Sequence, residues 1–232
     1  AIEPLYDALA RSARRGGPRP VVARHESGAA FMADGYARET GRIGVCCATT
    51  GPGATNLITG TASAFADRVP MLVISAQTAL PHFGRGALQE SSCTAVNTVG
   101  MFEHCTVYNT LVSHPDQLES KLVAAVAAAF QAGRGPAHLS IPRDVLASTS
   151  GRRRPHVNLE AFVERRRAVD TAALGTLCDL LERARGVAIV VGGGCGEAID
   201  PIMAFAEALD AKVIATPDGK IWLDPWNPRC HG

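Results

Sequence analysis

The stretch RHESGAAFMADGYARETGRIGVCCATTGPGATN, residues 24–56, decides how the chain folds. It opens on the end of a β-like run, passes through a helical pattern at 27–39 and a second apolar run at 43–49, and turns at Gly51-Pro52-Gly53 toward another helix. Strand, helix, strand, turn and helix in that order call for parallel strands joined by crossover helices. At the first junction stands Glu26. A glutamate normally keeps to a solvated face, because burying an ionised carboxylate unpaired is costly. The local pattern leaves Glu26 open to a capping or surface role and to a working one.

The same alternation continues outward. Strand candidates are RPVVAR (19–24), IGVCCAT (43–49), VPMLVIS (69–75), CTVYNT (105–110) and PAHLSI (136–141). Their apolar and β-branched content suits strands covered on both faces. Helices are expected over 27–39, 54–65, 91–102 and 115–131, with Gly133 as a stop. The opening AIEPLYDALARSARRGG predicts an amphipathic helix whose preceding strand is missing, as if the chain began in mid-fold. The expected fold is α/β, a doubly wound, mostly parallel sheet with helices on both faces, over residues 1–145. A polar, basic linker follows at 146–169. Residues 170–232 open a second α/β pattern: helix 171–183, strand 186–194, helix 197–209 and strand 211–216. That second domain reads as incomplete.

Composition excludes several classes. With 47% hydrophobic and 19% charged residues among 232, the chain can bury a core and is not compositionally disordered. A formal charge of +1 argues against nucleic acid as a partner, and the basic runs at 152–154 and 165–167 read as solvated linker surface. No apolar run approaches the ~20 residues that cross a membrane, and the start is no signal peptide. Seven cysteines without a CxxC pair argue against zinc and a disulfide framework, and for a reducing, cytoplasmic setting.

Three stretches could carry chemistry. In ATTGPGATN (48–56) the glycines allow close backbone approach and Thr49 or Thr50 can cap the new helix; a ligand turn and a bare βα connection both fit. VVGGGCGEA (190–198) follows a strand as a dinucleotide loop would, but Glu197 stands where the third fingerprint glycine belongs. It reads as a structural turn first and a contact for a nucleotide such as FAD or an acyl-CoA second. In GRGALQESS (84–92), Glu90 or Ser91 can cap the next helix, while Gln89 can present an amide to a substrate. The histidines form no metal cluster; His25 and Glu26 point to opposite faces if both lie in a strand, and HPD at 114–116 looks like a helix start.

Taken together, the His-Glu strand end, the helix AFMADGYAR, the turn GPGATN, the strand DRVPMLVIS and the closing GPAHLSIPRDV resemble the pyrimidine-binding domain of thiamine-diphosphate enzymes. The likeness is greatest to the acetohydroxyacid (acetolactate) synthase and pyruvate oxidase group, and GGG with IATPDGK resembles the start of that family's central domain.

The resemblance implies that Glu26 hydrogen-bonds the cofactor's aminopyrimidine at N1′ and relays a proton in a dry pocket. It implies that Thr50, Gly51, Pro52 and Asn56 line or hold the pyrimidine. Gln89 matches the family's active-site glutamine, and Leu88 stands where the synthases usually have phenylalanine. The implied cofactor is thiamine diphosphate, with Mg2+ held by a domain absent from these residues, and no metal site is expected here. The implied activity is acetolactate synthase-like decarboxylation and carboligation of a 2-keto acid by a homodimer or homotetramer. Alternatives are a thiamine-diphosphate-dependent decarboxylase or oxidase, or a noncatalytic α/β binding subunit. Residues 1–232 alone are expected to hold the cofactor weakly and not to turn over.

Overall fold

The computed structural model describes residues 1–131, 133–148 and 169–231. The chain divides into two compact units, Ala1–Arg165 and Arg166–Gly232. Most of the expected linker, including both basic runs, lies outside the described residues.

In the first unit four strands, β1 (Gly44–Ala48), β2 (Met71–Gln77), β3 (Tyr108–Leu111) and β4 (Pro136–Pro142), form one parallel sheet in the order β1-β2-β4-β3. The helices are α1 (Glu3–Ala13), α2 (Glu26–Thr40), α3 (Pro52–Asn56), α4 (Ile58–Ala66), α5 (Thr98–Phe102), α6 (Leu118–Phe130) and α7 (Arg143–Ala147). Successive side chains of a strand point to opposite faces, so β2 serves two cores. Met71 and Val73 pack with Ala30, Ala33 and Ala37 of α2 and with Phe102. Leu72 and Ile74 pack on the other face with Ala125, Val126, Ala129 and Phe130 of α6. Helices thus cover both faces of a parallel sheet, as the sequence pattern requires.

The motif residues of α2 anchor it as well as shape it. Asp34 is buried and accepts from Arg38 Nε at 3.0 Å, while Arg38 Nη2 reaches Asp67 Oδ2 at 2.6 Å, just before β2. Asp34 raises the guanidinium pKa of Arg38 first, with Asp67 adding to it. This clamp ties the C-terminal half of α2 to the turn that launches the central strand.

The structure departs from expectation in three places. RPVVAR forms no strand; Val21 and Val22 are 65% and 92% exposed, and extended apolar residues without a neighbouring ladder have no face to bury. The expected helix at 91–102 shrinks to α5, because the polar side chains of 91–94 bond to Glu90, Thr50 and one another in place of a helical ladder. The helix expected at 54–65 breaks at Leu57 into α3 and α4.

The second unit holds α8 (Thr171–Arg183), β5 (Ala188–Val191), α9 (Ile199–Ala208), β6 (Lys212–Ala215) and β7 (Cys230–His231), with a parallel sheet in the order β5-β6-β7. Val191, Ala206, Ala211 and Val213 form its small core.

Candidate functional site

Glu26 is the first residue of α2. His25 caps that helix, its Nδ1 accepting from the Ser27 amide at 3.2 Å, so the imidazole serves the backbone. A carboxylate in the first turn is also favoured by the helix dipole. Glu26 nevertheless has a long-range partner: Asn56 Nδ2, from the end of α3, donates to its Oε2 at 3.0 Å. The strand end and the turn, 30 positions apart in the chain, are thereby joined. Glu26 is half-buried, and the dry pocket implied for it is not formed by the described residues of this unit.

The turn keeps space beside the carboxylate. A Cβ on Gly53 would lie 2.7 Å from Thr49 Cγ2 and 3.5 Å from Glu26 Oε1, so the bare α-carbon lets α3 close on Thr49 with Glu26 Oε1 beside it. Gly51 has φ 63° and ψ −127°, backbone that suits glycine alone, and a Cβ there would meet Gln89 Cβ at 2.7 Å. Pro52 at the first helical position is exposed. The expected threonine cap of α3 is not made: Gly51, which has no side chain, is the N-cap residue. Thr50, 5% exposed, turns its hydroxyl toward Gln89 O at 2.9 Å, Ser91 Oγ at 3.0 Å and Gln77 Oε1 at 3.3 Å. Those contacts hold a distant loop, which a local reading of the turn could not reveal.

That loop carries Leu88 and Gln89, both exposed, Leu88 at 87%. Gln89 has φ 56°, left-handed backbone that residues other than glycine seldom adopt. Glu90 does not cap a helix. It accepts from the Gly84 amide at 2.7 Å and from the Ser92 and Thr94 hydroxyls, and these bonds, Gly84 first, hold its carboxyl below the usual range. Ser91 Oγ accepts from the Gly51 amide at 2.8 Å. Beside this loop a cavity of about 600 Å3 opens toward β3, walled by Gln77, Phe83, Ser91, Asn97, Tyr108 and Asn109. Glu26 is not part of its wall.

Other candidates resolve as structure. His138 is fully buried, stacks on Phe102 at 3.9 Å, and lies 2.8 Å from Ser75 Oγ and 2.7 Å from Asn109 Oδ1. Burial pulls its pKa down to about 3, so the ring is neutral. Burial pushes the Cys46 thiol up to about 12, which leaves it unreactive. All seven cysteines are free. His114 caps the turn that precedes α6, accepting from the Asp116 amide at 3.2 Å. Among the described residues no cluster of three or more His, Cys, Asp or Glu side chains could hold a metal ion, and no helix is long and apolar enough to cross a membrane.

In the second unit the glycine-rich turn after β5 is closed by its own chain. A Cβ on Gly196 would lie 2.7 Å from the Trp222 ring, and one on Gly219 would lie 2.1 Å from Val191 O. Trp222 Nε1 also donates to Gly193 O at 2.9 Å. Tyr6 of α1 had no signal in the sequence: burial raises its phenol pKa, and Cys47 and Glu26 lie near enough to raise it further. Gln77 had none either, because each of its partners outside Thr78 is distant in the chain.

Residues 1–97 match the family model described as the thiamine pyrophosphate enzyme, N-terminal TPP binding domain. The large subunit of acetolactate synthase isozyme 2 from Escherichia coli is 36% identical over 221 residues, covering 94% of this chain and 38% of that protein. A probable 2-ketoarginine decarboxylase from Pseudomonas aeruginosa is 38% identical over 234 aligned residues, covering 98% of this chain and 39% of the relative. The acetolactate synthase large subunit of Lactococcus lactis is 33% identical, over 93% and 36%. The chain thus spans well under half the length of these curated relatives.

Proposed function

We propose, from the match of residues 1–97 to the thiamine pyrophosphate enzyme N-terminal domain, that the chain supplies the pyrimidine side of a thiamine diphosphate site. The enzyme decarboxylates a 2-keto acid and joins the remaining fragment to a second carbonyl compound, as an acetolactate synthase does. The observation that carries this reading is the Asn56–Glu26 hydrogen bond beside the bare α-carbon of Gly53. A carboxylate with one oxygen held by Asn56 suits the ring-nitrogen edge of an aminopyrimidine.

Bound thiamine diphosphate supplies the electron sink for loss of carbon dioxide. Glu26 Oε1 accepts and returns a proton at the edge of that ring, general acid–base work for which a positioned carboxylate is suited. Asn56 holds Glu26 Oε2 and so fixes which oxygen faces the ring. The Thr50-Gly51-Pro52 turn limits the ring's position, and Gln89 presents its amide to the keto acid with Leu88 shaping the pocket mouth.

Magnesium is held by residues outside this chain, and the working assembly is a homodimer or homotetramer. The exposed apolar residues Phe31, Met32 and Tyr36 of α2, each nearly half-exposed, support burial against another surface. The free cysteines support a reducing, cytoplasmic setting. The proposal does not extend to FAD, because Trp222 occupies the space that the Gly196 α-carbon would offer a nucleotide.

One observation favours a second reading, decarboxylation without carboligation. Leu88 replaces the phenylalanine usual in the synthases, and a relative named as a decarboxylase is as similar as the synthases are. Assay of the full-length protein with thiamine diphosphate, magnesium, and pyruvate or related 2-keto acids tests both. Glu26→Gln is expected to lower turnover by ~100-fold or more; a variant of unchanged activity removes the catalytic reading. An acetolactate-type product supports the first reading, and an aldehyde as sole product the second.

A further inference from the structure

We propose that Gln77 is a positioning residue, which fixes the backbone of Gln89 by tying the Thr50-Gly51 turn to Ser91. The inference rests on the reading of Gln89 as a substrate-facing residue. Gln77 ends β2, is 1% exposed, and offers its Oε1 to three chain segments at once. That oxygen accepts from the Thr78 amide at 2.9 Å and from the Ser91 amide at 3.0 Å, and it lies 3.3 Å from Thr50 Oγ1, whose single proton it shares with the nearer Gln89 O. Its Nε2 is buried and has no hydrogen-bond partner among the described residues, so within them the side chain works as an acceptor.

The consequence reaches Gln89 from both sides. Ser91, held through its amide, places its hydroxyl to accept from the Gly51 amide at 2.8 Å. Thr50, held at the other end of the same cluster, donates to Gln89 O at 2.9 Å. Between these two fixed points Gln89 stays at φ 56° with its Cβ and Cγ against the α-carbon of Gly51 and its side chain exposed. Left-handed backbone at a residue other than glycine persists only where the surroundings over-determine it. Gln77 Oε1 is the buried acceptor that provides this, because it holds the Ser91 and Thr78 amides together.

Two variants separate acceptor from shape: Gln77→Met removes Oε1 at similar volume, and Gln77→Glu keeps an acceptor there. In NMR of the 232-residue chain, Gln77→Met is expected to speed amide exchange at Ser91 and Gly51 by ~10-fold or more, the loss of a buried hydrogen bond, and to shift the couplings that report φ of Gln89. Gln77→Glu is expected to restore both. In the full-length protein Gln77→Met is expected to lower kcat/KM for the keto acid ~10- to 100-fold, the effect of a misplaced contact, and be non-additive with Gln89→Ala.

Unchanged exchange and couplings in Gln77→Met, or full additivity with Gln89→Ala, overturns the proposal. If Gln77→Met does not fold, Ser91→Ala, which removes the hydroxyl that accepts from the Gly51 amide, pairs with Thr50 Oγ1 and donates to Gln89 O, must perturb Gln89 in the same way. An inactive full-length protein would remove the functional reading above while the NMR arm still decides whether Gln77 fixes Gln89.

Discussion

Two glycine-rich turns follow parallel strands in this chain, and what fills the space beside their α-carbons differs. At Gly51 the neighbour is Gln89, an exposed residue of a loop 38 positions away, and at Gly53 one neighbour is Oε1 of Glu26. In the turn after β5 of the second unit the neighbours are the Trp222 ring at Gly196 and Asp218 Cβ at Gly193, both from the segment that follows β6. Both sequences announce close approach; the first brings a carboxylate oxygen, Glu26 Oε1, and the exposed Gln89 to the place of approach, whereas the second brings an indole ring and the β-carbon of Asp218. Glycine content identifies the geometry of a βα turn, and the chemistry comes from the side chains that the rest of the fold delivers to it.

The largest test of that contrast is acid stability. The His138 pKa of about 3 lies below the ordinary histidine value near 6.5, so between those values the unfolded chain binds the extra proton. The first unit therefore keeps this stability in full above about pH 6.5 and loses it progressively as pH falls toward 3. Both tryptophans lie in the second unit, at 222 and 226, so their fluorescence follows that unit alone. Amide exchange in β2 and β4 follows the first, and loss of protection there should precede the fluorescence change on acidification. Equal acid sensitivity of the two units would break the contrast.

Next comes Gly51→Ala. The new Cβ meets Gln89, and the backbone leaves the conformation that only glycine tolerates, so activity of the full-length protein should fall ~100-fold. Gly219→Ala should instead destabilise the second unit by about 1–3 kcal/mol, read from tryptophan fluorescence in urea, and leave amide exchange in the first unit unaltered. A loss of protection at Glu26 or Gly51 in Gly219→Ala would show that the two turns are not independent. The smallest effect is expected of Asn56→Ala, about 10-fold in kcat with little change in KM, because Glu26 keeps its place at the helix start and loses only its orientation.

The parts of the fold that were legible from the sequence are those set by local rules. Runs such as VPMLVIS and PAHLSI became β2 and β4 because β-branched and apolar residues suit strands buried on both faces, and 171–183 became α8 as expected. Val21 and Val22 misled because strand propensity has no effect without a partner edge. Residues 91–97 misled because their hydroxyls had better partners than a helix could offer.

Glu26 and Asn56 were singled out through resemblance, yet their bond to each other spans 30 positions and had no local sign. The same holds for the Gln77 cluster, whose members outside Thr78 lie at positions 50 and 91. Separation in sequence hid these contacts, and the sheet brings them together.

The central claim is that Glu26, oriented by Asn56, moves a proton at the bound cofactor. Its most direct measurement is the rate of hydrogen–deuterium exchange at C2 of thiamine diphosphate bound to the full-length protein, compared with Glu26→Gln. The account predicts that exchange slows by ~100-fold or more while the cofactor stays bound. Exchange at an undiminished rate in the variant would contradict it.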